Sequence, residues 1–150
     1  DVSIARVNGK DVEIVTSKGD PRLGGIDFDR KLHDVIRRTF EGSTGEKYDD
    51  KIHQLGKTPE EYKKQLTTRA DCAVQIVGGE TGRKILTITR QEFEAATSTL
   101  ISKADLLVES TLDEAGLRPS DISHVFLTRV LVPTRKALIR HKNQSLANSS

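Results

Sequence analysis

The chain has 150 residues, room for one domain or two small subdomains, and its 35% hydrophobic content with only 4% aromatics calls for an aliphatic core of Leu, Ile, Val and Ala. With 24 basic and 22 acidic residues the formal charge is +2, which gives no concentrated basic face and argues against a nucleic-acid partner. No apolar stretch approaches the roughly 20 residues of a membrane span, no basic-then-apolar leader opens the chain, and the lone Cys72 excludes an internal disulfide framework and fits a reducing, cytoplasmic compartment.

Residues 2–7 and 11–16 read as two strands joined at Asn8-Gly9, a pair that tolerates the positive φ of a tight hairpin turn. After the loop 19–25, Phe28, Leu32, Val35, Ile36 and Phe40 recur at steps of three and four and mark one face of a helix. The run Gly42-Ser43-Thr44-Gly45 is expected to end it, and residues 46–57 are polar without a clear period. Thr58-Pro59-Glu60-Glu61 is a helix start, with a capping hydroxyl, a first-turn proline and acids at the positive dipole end; the helix is expected to reach about Leu66.

Strands are predicted over 71–77 and 84–88, joined by Gly78-Gly79-Glu80-Thr81-Gly82, with Cys72, Val74 and Ile76 sharing a core-facing side. Thr89 and Glu92 fit a capping box that opens one long helix to about Ala115. Its apolar side is Phe93, Ala96, Leu100, Ala104, Leu107, Val108 and Leu112, and Gly116 is its stop. A short strand over 124–128, a helix over 134–142 after Pro133 and a polar tail over 143–150 complete a mixed α and β chain without internal repeats. The four histidines His33, His53, His124 and His141 lack metal-ligand spacing, so surface or packing roles are expected of them.

The segment Gly19-Asp20-Pro21-Arg22-Leu23-Gly24-Gly25-Ile26-Asp27-Phe28-Asp29 resembles the Gly-Asp-x-x-Leu-Gly-Gly-x-Asp-Phe-Asp signature of the DnaK-type seventy-kilodalton heat-shock chaperones. Thr89-Arg90-x-x-Phe93-Glu94, the long helix, Ala115-Gly116-Leu117, Asp121-Ile122 and Val125-Phe126-Leu127 follow the same family order, over roughly residues 1–140. The resemblance implies a fragment of an actin-like ATPase fold, its second lobe. Residues 1–25 and 117–142 would be a partial inner subdomain, and 26–116 an outer subdomain of small sheet and helices. Asp1 is not an initiator and Met is absent, so the chain is expected to be an excised piece of a longer chaperone, inactive in ATP hydrolysis by itself.

The resemblance also implies a nucleotide site. The family grips adenosine with a Glu-x-x-Lys-Arg-x-x-Ser helix, matched here by Glu60, Lys63, Lys64 and Thr67 at i, i+3, i+4 and i+7 on one helical face. Such a face offers a carboxylate for ribose hydroxyls, a cationic stem to lie over a purine and a hydroxyl for the base edge. Lys64 stands where the family has an Arg, which stacks better on a ring. Gly24 and Gly25 are the twin glycines placed beside the nucleotide, Ile26 replaces an acid, and Arg129 is the nearest candidate for the stacking Arg of the adenine loop. ATP or ADP, with Mg in the intact parent, would be the ligand; nucleotide-exchange factors, co-chaperones and clients would be the partners. Exposed sheet edges predict self-association of the isolated piece. The alternative is a non-catalytic interaction module derived from the same fold, for which Ile26 and Lys64 would mark lost nucleotide binding.

Overall fold

A computed structural model describes residues 1–126, in two compact units. One comprises Asp1–Gly24 and the chain from Thr99 onward; the other is Gly25–Ser98.

In the first unit β1 (Val2–Asn8) and β2 (Asp11–Lys18) form an antiparallel hairpin whose turn uses Gly9 at φ 63°, and a register shift at Ile4/Ala5 marks a bulge. Val7, Val12 and Ile14 are exposed on it. Lys18 ties β2 to the long helix of this unit, donating to Ser110 O at 2.9 Å and pairing with Glu114 at 2.7 Å.

The second unit is built on α1 (Gly25–Thr44), whose buried residues are the expected Phe28, Leu32, Val35, Ile36 and Phe40. The helix ends within the expected run, at Gly45, which takes φ 73° while its N–H still reaches Glu41 O at 2.9 Å. A three-stranded antiparallel sheet, ordered β3 (Gln54–Leu55), β4 (Asp71–Gly78), β5 (Gly82–Thr89), presents Cys72, Val74, Ile76, Leu86 and Ile88 to the core. Burial pushes the Cys72 thiol up, away from the reactive thiolate. Between β3 and β4, α2 (Pro59–Thr68) opens with a full capping box of Thr58 and Glu61 and buries Tyr62 and Leu66.

The predicted long helix is broken. Thr89 and Glu92 form the capping box, but α3 (Arg90–Ala96) ends at Thr97, and α4 (Ser98–Ala115) starts anew. Thr97 is fully buried, and its hydroxyl donates to Phe93 O at 2.8 Å, the carbonyl that its own N–H reaches at 3.0 Å. A side-chain donor competing for a helix carbonyl bends or interrupts the ladder. Arg90 secures the end of α2, its guanidinium donating to Leu66 O at 2.8 Å and Arg69 O at 2.7 Å, carbonyls a helix end leaves orphaned.

Gly116 at φ 64° stops α4, and a 3-10 turn over Pro119–Asp121 follows. Residues 124–126 form no strand, and Phe126 is 85% exposed: among the described residues no neighbouring strand takes up their backbone donors. The rest of that predicted strand, the helix over 134–142, the tail and Arg129 lie outside the described residues.

Residues 46–53 are fixed by polar contacts rather than periodic burial. Glu46 accepts from the Thr81 hydroxyl at 2.7 Å and from the Thr81 and Glu80 backbone N–H groups at 2.9 Å each, and lies 3.0 Å from His53 Nε2. These donors, led by the Thr81 hydroxyl, hold the Glu46 carboxyl at about 2. In the unfolded chain the same group binds its proton near 4.5, so between those values the unfolded state carries more protons and acid favours unfolding. The stabilisation is fully present above about pH 4.5 and is lost as pH falls through about 2. Urea unfolding followed from pH 6 downward should show a steeper loss of stability in that window for the native chain than for Glu46→Gln; equal slopes would contradict this account.

Candidate functional site

The residues of interest converge where the first turn of α1 meets α2. Helix α2 begins at Pro59, so Glu60 and Glu61 occupy its first turn, where carboxylates oppose the exposed N–H groups favourably. Glu61 is consumed by the capping box, its Oε2 accepting from Thr58 N at 2.9 Å. Glu60 remains exposed, and its Oε1 pairs with Lys64 Nζ at 2.9 Å, one helical turn on. That hydrogen bond lowers the Glu60 carboxyl and raises the Lys64 ammonium, each acting mainly through the other. An exposed i, i+4 pair of this kind contributes little to folding, so a ligand can redirect either partner cheaply.

Lys63 behaves differently. It is only 6% exposed, and its Nζ lies 2.6 Å from Asp29 Oδ1 and donates to Gly25 O at 3.3 Å. Asp29 Oδ1 is buried and has no partner in hydrogen-bond geometry, so the contact with Lys63 is an ion pair held by charge rather than by alignment. A buried cation is tolerated only when paired. Lys63 is therefore a fixed post between α2 and α1, whereas Lys64 is the mobile cation of the same face. The 60/63/64/67 spacing does bring four residues to one side of α2, yet they stand at different depths.

Thr67 is half-buried and donates its hydroxyl to Lys64 O, which leaves its oxygen lone pairs as acceptors. Gly25 is the first residue of α1, and a Cβ built there would meet Lys63 Nζ at 3.6 Å, ordinary van der Waals contact. Packing against Lys63 thus does not require glycine at this position. Ile26 beside it is 67% exposed. Gly24 closes the other compact unit.

Asp29 is the participant that sequence reasoning passed over as a site residue. It stands within the Gly-Gly-x-Asp-Phe-Asp run, four residues after Gly25, and that spacing returns it to the same side of α1 one turn later. Among the described residues no group of three or more His, Cys, Asp or Glu side chains is arranged to hold a metal ion. The face combines an exposed carboxylate, an exposed ammonium, a hydroxyl and an uncrowded glycine beside the Lys63–Asp29 ion pair.

A family model described as Hsp70 protein matches residues 1–140. The chain belongs to the Hsp70 family. Its relationship is to the ATPase domain of these ATP-binding chaperones.

Because Lys63 and Asp29 are buried against each other, removing one should strand the other. Lys63→Met is expected to destabilise the chain by about 1–3 kcal/mol, and the double change with Asp29→Asn to cost less than the sum of the singles. Urea unfolding of the four proteins measures this; strict additivity would show that the pair is not coupled.

Proposed function

We propose that this Hsp70-family chain supplies the adenosine-side part of the nucleotide site in the second lobe of the ATPase domain. In this assignment residues 26–116 are the outer subdomain and residues 1–25 with 117–142 belong to the inner one, whereas the compact units divide after Gly24 and after Ser98. The observation that carries it is the arrangement of α2, where an exposed, mutually paired Glu60 and Lys64 stand on the same helix as a Lys63 anchored to the start of α1.

Each group then has a role its chemistry permits. Glu60 accepts hydrogen bonds from ribose hydroxyls, strong ones because the acceptor is ionised. Lys64 swings off Glu60 and lays its stem over the purine face, a weaker cover than a guanidinium would give. Thr67 offers oxygen lone pairs to an exocyclic amino group. Lys63 makes no demand on the ligand; it fixes α2 relative to Gly25, whose missing side chain leaves the approach open. All these residues lie within one compact unit, so binding and release of the nucleoside follow the motion of that unit as a body. A nucleotide-exchange factor gripping the outer subdomain would release ADP by moving it, with co-chaperones and clients engaged through the whole chaperone.

Ile26 favours a second assignment. It is exposed at the position where the family carries an acid, which suits a non-catalytic interaction module that no longer holds nucleotide.

Calorimetric titration of ADP into a protein carrying the complete ATPase domain separates the two. Nucleotide binding is expected, and Glu60→Ala should weaken it by about tenfold or more, the loss of a charge-assisted hydrogen bond. A folded protein that gives no heat with ADP supports the interaction module, and unchanged affinity in Glu60→Ala removes α2 from the site.

A further inference from the structure

A second polar construction lies at the tip of the β4–β5 hairpin, apart from the α2 face. Four donors converge there on one carboxylate. Glu46 Oε1 accepts from the Glu80 N–H at 2.9 Å, and Oε2 accepts from the Thr81 N–H at 2.9 Å and the Thr81 hydroxyl at 2.7 Å. The fourth donor is His53, whose Nε2 is 3.0 Å from Oε1. Its Nδ1 lies 3.0 Å from the Asp49 N–H and 3.2 Å from Asp49 O; the tautomer that accepts from the Asp49 N–H carries its proton on Nε2, facing Glu46.

Consecutive backbone N–H groups pointing into one concavity make an anion-binding nest. The glycines of this turn allow it. Gly78 and Gly79 take φ of 114° and 67°, and a Cβ on Gly79 would collide with both the Glu46 carboxylate and the His53 ring, while one on Gly78 would collide with Ile52 O. The floor is aromatic: Tyr48 stacks on His53 at 5.1 Å between centroids, and Phe40 meets it edge-on at 4.9 Å. The His53 side chain is 1% exposed and that of Glu46 16%. Of the carboxylates on the flanking segments, Asp50 pairs with His33 at 3.2 Å and Glu41 accepts from the Tyr48 N–H at 3.1 Å.

We propose that Glu80, Thr81 and His53 form an anion cradle of the size and donor pattern of a single carboxylate, and that Glu46 occupies it as an internal ligand, latching the hairpin tip to the segment that follows α1. The donors do not depend on which molecule carries the carboxylate. Once Glu46 is truncated, the vacated cradle takes a small external carboxylate, with Glu80 and Thr81 N–H and His53 Nε2–H rebinding it. A glutamate that merely staples a turn would leave no such site behind.

The test uses the full 150-residue chain carrying Glu46→Ala, titrated with sodium formate against sodium chloride at matched ionic strength. Formate should shift the amide resonances of Glu80 and Thr81 saturably and raise the melting temperature. The native chain should show neither effect, nor should Glu46→Ala combined with Thr81→Val. A folded Glu46→Ala chain whose two amides ignore formate overturns the proposal. Should that variant not fold, nitrogen-15 shifts of the native His53 ring decide: a neutral ring protonated on Nε2 supports the cradle, and one protonated on Nδ1 overturns it.

Discussion

The apolar stripe of α1 is the constraint on which the rest of the Gly25–Ser98 unit depends. Phe28, Leu32, Val35, Ile36 and Phe40 are all buried, and α1 packs against α2, α3 and β5. Full burial of a large apolar side chain contributes about 1.5–3 kcal/mol, against about 0.5–1.5 kcal/mol for an ordinary internal hydrogen bond. The stripe therefore decides that the helix docks. It decides less well where, because apolar contact has no direction. Direction comes from two polar clamps, Lys63 with Asp29 and Gly25 at the start of α1 and Glu46 with Thr81 just past its end.

That division of labour shapes the candidate site. Two adjacent lysines of α2 have opposite fates because successive residues on a helix are turned roughly 100° apart. Lys63 turns into the α1 contact and must be paired there, whereas Lys64 turns outward and pairs only with Glu60. A ligand at this face, as proposed, would meet one exposed cation and one committed to an ion pair within the fold. Membership of the Hsp70 family points to ATP as the ligand of the ATPase domain; in the proposed site Glu60 and Lys64 would be the exposed groups that meet it.

Much of this was legible in the sequence where the signal is local. The α1 stripe follows from a 3–4 period, and the capping box at Thr89 and Glu92 is a four-residue pattern that the structure forms. The Cys72, Val74, Ile76 face follows from alternation and is buried. What escaped depends on depth or on distance along the chain. Spacing at i, i+3, i+4 and i+7 puts Glu60, Lys63, Lys64 and Thr67 on one broad side of α2 but does not say which of them meets α1, so the commitment of Lys63 to Asp29 was invisible. Thr97 reads as an ordinary helix residue until its burial turns the hydroxyl onto Phe93 O. Glu46 reaches Thr81 across 35 positions, and no local pattern announces such a partner; only the surplus of glycine at 78 and 79 hinted that something comes close.

The two clamps also bear on how the site would work. A twenty-residue helix spans about 30 Å, and a contact at one end alone would leave the other free to swing about the apolar stripe. Held at both ends by polar contacts, α1 cannot rotate or slide without breaking an ion pair or a four-donor carboxylate site. The position of Gly25 relative to Lys63 is thus set from the far end of the helix as well as the near one. Because Lys63 is flanked in sequence and space by the exposed pair, fixing it also fixes the origin from which Glu60 and Lys64 reach. A nucleoside site on this face would then need no ordering of its backbone on binding, only the redirection of two surface side chains, and side-chain ordering is the smaller of the entropic costs of recognition.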